Sequence, residues 1–499
     1  MMSLSPEIST AAGLVCGRWE KTVAVLRGIP YAQPPIGPRR FRAPVPVLPW
    51  DGVRDALEFS PSVPQGDCVM SSEDGDWLTL NVWSPDLGAA RVPVMVWIHG
   101  GAYLEGTSGN PHTEGATLAA NGVVVVSMNY RVGVEGFACI AGAPDNRGIL
   151  DQVAALRWVQ ENIAAFGGDP GNVTVFGQSA GAGSIAALLC MPMAAGLFRR
   201  AITQSVPGTF FSPELGAAIS GTIAAELGLQ ATVDDLSPIP PRTLIRAMGE
   251  VIRTMPDFVD PWGPMALTPT PFSPVVDGDT LPYAPWQALA DGAARGVDLL
   301  VGHTRDEYRL FMPRPGSHVT DEQLSSALDL LAPASDAGLS YRGAFPEAGR
   351  DELYELVNSD WLFRIPSLHL AEAQHAGGGR AWMYELSWAF NLAQGASHSL
   401  DVLLVFGTLT DDEIRKQPTA IPSAMDEAPR VARQMRTDWL NFAAKGDPGW
   451  STHEPARRAT RVYATDPIVR PYPEERSRLI WQAHRFDTQE LLSRKDSPR

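Results

Sequence analysis

Val173-Thr-Val-Phe-Gly-Gln-Ser-Ala-Gly-Ala-Gly-Ser184 decides how this chain is read. It opens as a short apolar, β-branched run and closes in small residues suited to the start of a helix. Between them lies Gly177-Gln-Ser179-Ala-Gly181, a G-x-S-x-G pattern. A strand that turns abruptly into a helix strains the turn residue and leaves little room on either side. Glycine at both flanks removes the Cβ atoms that would clash. Ser179 is then held at the strand tip with its hydroxyl exposed, facing the positive end of the helix dipole. In a chain with 46 glycines, one such match could fall in any loop. Strand before and helix after make this one a candidate nucleophile.

The neighbouring segments supply a frame for it. Val92-Pro-Val-Met-Val-Trp-Ile98 is a near-continuous apolar run, the mark of a strand buried on both faces, and it ends in His99-Gly-Gly-Ala-Tyr103. A second such run, Val123 to Met128, ends at Asn129-Tyr-Arg131, and the alternating Trp77 to Trp83 reads as a strand. From Ile149 to Phe166, apolar residues at 149, 153, 156, 159 and 163 predict an amphipathic helix that Gly167-Gly-Asp-Pro-Gly171 stops. Strand and helix alternating in this way mean a parallel sheet with crossover helices.

Farther on, Asp298-Leu-Leu-Val-Gly302 and Ala381 to Leu386 read as strands, and a helix is expected around Val431 to Ala444. Residues of roughly 210–370, with their Pro- and Trp-rich pieces, read as insertion and lid material within a single domain over residues 1–499. There are no internal repeats.

Bulk properties exclude several function classes. With 44% hydrophobic and 19% charged residues the chain has ample core for a globular fold. Lys and Arg number 40 against 56 Asp and Glu, a net charge of −16, which argues against nucleic acid or an anionic membrane as partner. Cys16, Cys68, Cys139 and Cys190 form no C-x-x-C pair, so no zinc site is expected. No stretch approaches the roughly 20 apolar residues of a membrane span. The N-terminus shows no secretory pattern. The expectation is a soluble, cytoplasmic protein with reduced thiols, monomeric or homodimeric.

A serine hydroxyl is a weak nucleophile until a base takes its proton, and the base is best a histidine oriented by a carboxylate. In the α/β-hydrolase arrangement of this elbow the chain order is Ser, then acid, then His. His398 lies in Gly395-Ala-Ser-His-Ser-Leu-Asp401, a small-residue loop directly after the Ala381 strand. The acid is sought in Val301-Gly-His-Thr-Arg-Asp-Glu-Tyr308, where Asp306 and Glu307 both qualify by position. Either could instead form a surface ion pair with Arg305 or Arg309. His99-Gly-Gly-Ala-Tyr103 suits an oxyanion hole, because a strand ending in small residues exposes backbone N–H donors. The N–H of Ala180 is the expected partner donor.

These segments resemble the type-B carboxylesterase family, the group that includes cholinesterases and bacterial p-nitrobenzyl esterases. The similarity is to bacterial, actinobacterial-type members and runs almost end to end. It is carried by Arg27-Gly-Ile-Pro-Tyr-Ala, Leu80-Asn-Val-Trp83, Phe166-Gly-Gly-Asp-Pro170, Pro274-Val-Val-Asp-Gly-Asp279, Thr304-Arg-Asp-Glu307 and Gly395-Ala-Ser-His398. The resemblance implies an α/β-hydrolase fold, with a mostly parallel central sheet flanked by helices and large cap insertions. It assigns the nucleophile to Ser179, the base to His398 and the acid to Glu307, leaving Asp306 a structural role. It assigns the oxyanion hole to Gly101, Ala102 and Ala180, with Gly100 as the turn. The family's serine is often preceded by Glu. Here Gln178 removes that negative charge and weakens any case for a cationic substrate. The stretch Cys68 to Trp77 is short, and the disulfide-closed loop of cholinesterases is expected to be absent. Tyr308 replaces the common Gly after the acid pair.

The expectation is therefore a serine carboxylesterase that hydrolyses short- to medium-chain esters through an acyl-enzyme, with no metal or organic cofactor. Trp262, Phe272, Phe311, Trp361 and Trp388 are candidates for the pocket wall or, equally, for core. Two alternatives stand beside this reading. One is a hydrolase of carbamates, amides or long-chain acylglycerols built on the same machinery. The other is a binding protein on an inactive scaffold, against which the presence of all three residues argues.

Overall fold

A computed structural model describes residues 5–66, 75–88, 91–312, 318–334 and 336–492. Its strands, in chain order, are β1 (Glu7–Ser9), β2 (Leu14–Cys16), β3 (Arg18–Glu20), β4 (Val23–Pro30), β5 (Val53–Asp55), β6 (Thr79–Ser84), β7 (Val92–Ile98), β8 (Val124–Met128), β9 (Gly168–Gln178), β10 (Arg200–Gln204), β11 (Asp298–Thr304), β12 (Ala381–Leu386), β13 (Ala459–Tyr463) and β14 (Ile468–Pro471). β1, β2 and β5 form a small sheet of their own. The others form one large sheet in the order β14-β13-β12-β11-β10-β9-β7-β8-β6-β4-β3. From β13 to β8 every neighbouring pair is parallel, and antiparallel pairs close both edges.

The apolar run of β7 behaves as its composition requires. Val94, Val96 and Ile98 enter one core, and Met95 and Trp97 enter the other. The first core is roofed by the helix Arg147–Asn162, which contributes Ile149, Val153, Leu156 and Val159. The second is closed by Leu400–Phe406 and Ala424–Lys445, the latter contributing Val431, Met435, Trp439 and Phe442. A sheet covered on both faces has no solvated side, so its central strands read as continuous hydrophobic runs. Each fully buried Val, Leu or Ile contributes about 1.5–3 kcal/mol to that arrangement.

β10 escapes the sequence reading although it lies mid-sheet. Its Arg200, Thr203 and Gln204 are polar yet buried. Two of these side chains find partners on the helix that covers the strand. Arg200 Nη1 donates to the carbonyl of Ala443 at 2.9 Å, and Gln204 Oε1 accepts from the Trp439 indole at 3.3 Å. The helix expected around Val431 starts earlier, at Ala424, with Pro429 inside it. The predicted helix to Phe166 is an α-helix to Asn162 followed by a 3₁₀ turn, Ile163–Phe166.

Sheet order also places the site. β7 has β8 on one side and β9 on the other, so the chain leaves β7 in one direction and later returns on the opposite flank. Where strand order reverses in this way, the loops beyond the strand ends diverge and open a crevice. The loops after β7 and β9, which begin at His99 and Ser179, border that crevice.

Candidate active site

The elbow is built by close approach to β7. A Cβ placed on Gly177 would lie 2.7 Å from the carbonyl oxygen of Ile98, and one on Gly181 would lie 2.1 Å from the same atom. Both flanking glycines are thus required by one neighbouring carbonyl. Ser179 has φ 58° and ψ −126°, a strained backbone for a residue with a side chain. Its N–H donates to the Gln204 carbonyl at 2.9 Å, tying the turn to β10. Ala180 begins the helix Ala180–Leu188, where an N–H has no intrahelical acceptor.

The loop after β7 has its own strain. Gly101 sits at φ 113°, where a Cβ would lie 2.0 Å from the Glu105 carbonyl oxygen. Ala102 and Tyr103 follow at φ 57° and 59°. Among the described residues, neither the Gly101 nor the Ala102 N–H donates to a protein acceptor. Gly101, Ala102 and Ala180 line one cavity together with Ser179 and His398.

Asp306 and Glu307 point to different partners. Glu307 is fully buried, and its Oε2 lies 2.5 Å from His398 Nδ1. Its Oε1 accepts from the Ser205 hydroxyl at 2.5 Å and from the Thr304 N–H at 2.9 Å. Burial alone would raise this carboxyl. The charge and hydrogen bond of His398, with the Ser205 hydroxyl, outweigh it and hold Glu307 below its ordinary value. Asp306 instead pairs with Arg305 and Arg309 and accepts the Ala396 N–H at 2.8 Å, so it pins the loop that carries the histidine. A Cβ on Gly395 would lie 2.3 Å from Asp306 Oδ2, which explains the glycine there.

His398 packs against the rings of Phe363, at 4.2 Å between centroids, and Phe311, at 5.5 Å, which also lie against each other at 6.3 Å. Its Nε2 lies 2.9 Å from the side-chain nitrogen of Gln178. Phe363 and Leu362 belong to a π-helical turn, Asp360–Arg364, fastened by Arg364 to Asp360 and to Glu474, each at 3.1 Å. Beside these residues opens a mainly apolar cavity of about 440 Å³, completed by Pro207, Thr270 and Leu310. A second, more polar chamber of about 520 Å³ adjoins it, sharing Gly101, Gln178 and His398.

Of the five aromatic wall candidates, Phe311 lines the cavity. Trp262 stacks on Phe258 at 4.3 Å, Trp388 donates to Glu427, and Phe272 and Trp361 are buried in the first core. Ser205, Leu362 and Phe363 carry no sequence signal that marks them. Among the described residues, no group of His, Cys, Asp and Glu could hold a metal ion, and no helix is long and apolar enough to cross a membrane. Cys16, Cys139 and Cys190 are free thiols. Cys68 lies outside the described residues, with most of the stretch on which the expectation of a missing disulfide-closed loop rests.

The strand order, the elbow at its reversal and a histidine loop after a later strand define the α/β-hydrolase fold. The comparisons narrow the class. A model of the carboxylesterase family matches residues 4–461, and the chain belongs to that family. Para-nitrobenzyl esterase of Bacillus subtilis (strain 168) is 36% identical over 496 residues, covering 94% of this chain and 97% of that protein. Phenmedipham hydrolase of Pseudarthrobacter oxydans is 34% identical, covering 94% and 95%. Among solved structures, carboxylesterase EST55 of Geobacillus stearothermophilus matches with a TM-score of 0.82 at 37% identity, over 95% of this chain and 100% of that one.

Proposed function

We propose that this chain is a serine carboxylesterase for short- to medium-chain esters, with Ser179, His398 and Glu307 as its triad. The observation that carries the reading is the line from the elbow serine's cavity through His398 to the buried Glu307, 2.5 Å from its imidazole. Ser179 Oγ attacks the ester carbonyl while His398 Nε2 takes its proton. Glu307 keeps the other nitrogen protonated and stabilises the imidazolium that forms. The tetrahedral oxygen receives the N–H groups of Gly101, Ala102 and Ala180, donors already in place before charge develops. His398 returns the proton to the leaving alcohol. Water then attacks the acyl-enzyme by the same route.

The cavity favours acyl groups of modest length. Its volume of about 440 Å³ lies in the ordinary range for small-molecule sites, roughly 300–1,000 Å³, and its wall is apolar at Pro207, Phe311, Leu362 and Phe363. The reading includes a single domain over 1–499 with cap insertions within 210–370, a monomer or homodimer. It also includes a cytoplasmic location, which the free thiols support.

The test is hydrolysis of p-nitrophenyl acetate, butyrate and palmitate, with and without a serine-directed organophosphate. Inhibitable turnover of the short esters that vanishes by palmitate is expected. Turnover that rises with chain length would move the reading to a lipase. None on any ester, with Ser179 unlabelled, would overturn it.

A further inference from the structure

Gln178 occupies the nitrogen that the mechanism needs. The carboxylate of Glu307 only accepts hydrogen bonds, so the neutral imidazole of His398 carries its proton on Nδ1 and its lone pair on Nε2. The group facing that lone pair at 2.9 Å is the side-chain amide nitrogen of Gln178, a donor. One lone pair takes one such donor well, so the amide and the Ser179 hydroxyl compete for it. Gln178 is buried, as the last residue of β9, and lines both cavities. A Cβ on Gly100 would lie 3.3 Å from its Oε1.

The other groups around His398 do not substitute for it. Glu307 holds the opposite nitrogen, and Phe311 and Phe363, which carry no charge, pack against the ring. Asp401, on the following helix, is tied to the Tyr384 hydroxyl at 2.7 Å. Asp306 is held by Arg305 and Arg309, and Glu105 lies across the cavity. His99 turns its Nδ1 to the Gly100 carbonyl, and burial lowers it to about 4, so it stays neutral.

We propose that Gln178 is a positioning residue for the base: its amide N–H holds the resting neutral imidazole at Nε2 and yields that nitrogen to Ser179 when substrate fills the cavity. This rests on the assignment of Ser179 and His398 above. Two consequences follow from the chemistry. The amide favours the neutral ring, because an N–H cannot pair with a protonated nitrogen. It also slows the attack of Ser179 on an entering electrophile, because the hydroxyl must first displace the amide from Nε2.

The discriminating variant is Gln178→Met, which keeps the length of the side chain and removes the donor. The profile of kcat/KM against pH is recorded with p-nitrophenyl butyrate, and labelling of Ser179 by an organophosphate is timed on the alkaline plateau. In Q178M the acid limb should move up by about half a pH unit to one unit, the worth of one hydrogen bond to the neutral ring. Labelling should be faster than in the parent, by roughly threefold or more. Gln178→Glu, which accepts from a protonated Nε2, should move the limb farther in the same direction, by about one unit or more. An acid limb and a labelling rate in Q178M that match the parent's would overturn the proposal and leave Gln178 a packing residue. Ser179→Ala separates the two failures. Turnover that survives there overturns the site itself, whereas an inactive S179A beside an unmoved Q178M overturns the role of Gln178 alone.

Discussion

Ser205 donates its hydroxyl to Glu307 Oε1 at 2.5 Å, from a backbone held at φ 60°. It stands immediately after β10, and its N–H is bonded to the Gly302 carbonyl of β11. Two adjacent strands thus converge on one oxygen of Glu307, Ser205 from beyond β10 and the Thr304 N–H from β11. Ser205→Ala keeps the left-handed backbone position a non-glycine residue and removes one bond to a buried carboxylate. A hydrogen bond to a charged group is worth about 1.5–3 kcal/mol. The expected result is a fall in kcat of roughly 10- to 100-fold with little change in KM, measured with p-nitrophenyl butyrate.

Ser179→Ala should lower kcat by at least about 10⁴-fold and abolish organophosphate labelling, with circular dichroism unchanged. The methyl fits the space of the hydroxymethyl group, so the elbow survives. Normal turnover in this variant would sink the mechanism.

Gly181→Ala tests the elbow rather than the chemistry. The added Cβ would lie 2.1 Å from the Ile98 carbonyl oxygen and 2.9 Å from that of His99, both backbone atoms that cannot swing aside. Moving β7 away shifts the Gly101 and Ala102 N–H groups relative to Ser179. Removing one oxyanion donor costs about 10²–10³ in kcat elsewhere, and a loss of at least that size is expected here. Full activity in G181A would show that the two strands are not in the contact described.

Stability should fall on the alkaline side through Glu385. This β12 carboxyl is pushed up to about 8, first by burial and then by the charge of Glu474, against the opposing pull of Arg364 and Arg305. Its folded value lies above the ordinary 4.5, so the folded chain holds the proton more tightly than the unfolded one. That contribution is complete below pH 4.5 and is lost as pH rises towards 8. Glu385→Gln should therefore leave Tm nearly unchanged at pH 5 and raise it by about 1–3 °C at pH 9, read by thermal unfolding at both values. An equal shift at the two pH values would count against the titration of Glu385.

The parts of this molecule that a reader of the sequence finds are those where residue type and geometry coincide. β7 and β12 have the bounds expected from their apolar runs, Val92–Ile98 and Ala381–Leu386. The elbow was visible because close approach to Ile98 demands glycine twice in five residues. The parts missed were those whose cause lies elsewhere in the chain. β10 is polar, and the partners of Arg200 and Gln204, Ala443 and Trp439, lie more than two hundred residues farther along the chain. The helix expected from Val431 begins at Ala424, ahead of Pro429. The choice between Asp306 and Glu307 had two equal candidates by position, and the contacts of each carboxylate separate them. Phe363 reaches His398 from a π-helical turn far along the chain, and no local pattern distinguishes it from core. Nor does spacing reveal that Gln178 meets His398, 220 residues away.

The main groups of the proposed site come from segments following four different strands: the 99–103 segment after β7, Ser179 after β9, Glu307 after β11 and His398 after β12. The four stand in the same order along three hundred residues and across the sheet, where β7, β9, β11 and β12 follow one another with only β10 between them. No contiguous half of the polypeptide contains them, and each is placed by pairing with strands remote in sequence. Such non-local pairing is slow to form, because chain closure must precede the contacts that reward it. Turnover is thus a readout of the completed sheet. A chain refolding from denaturant should recover its helical signal early and its esterase activity late, and a nascent chain remains catalytically silent until β12 and the histidine loop beyond it have emerged.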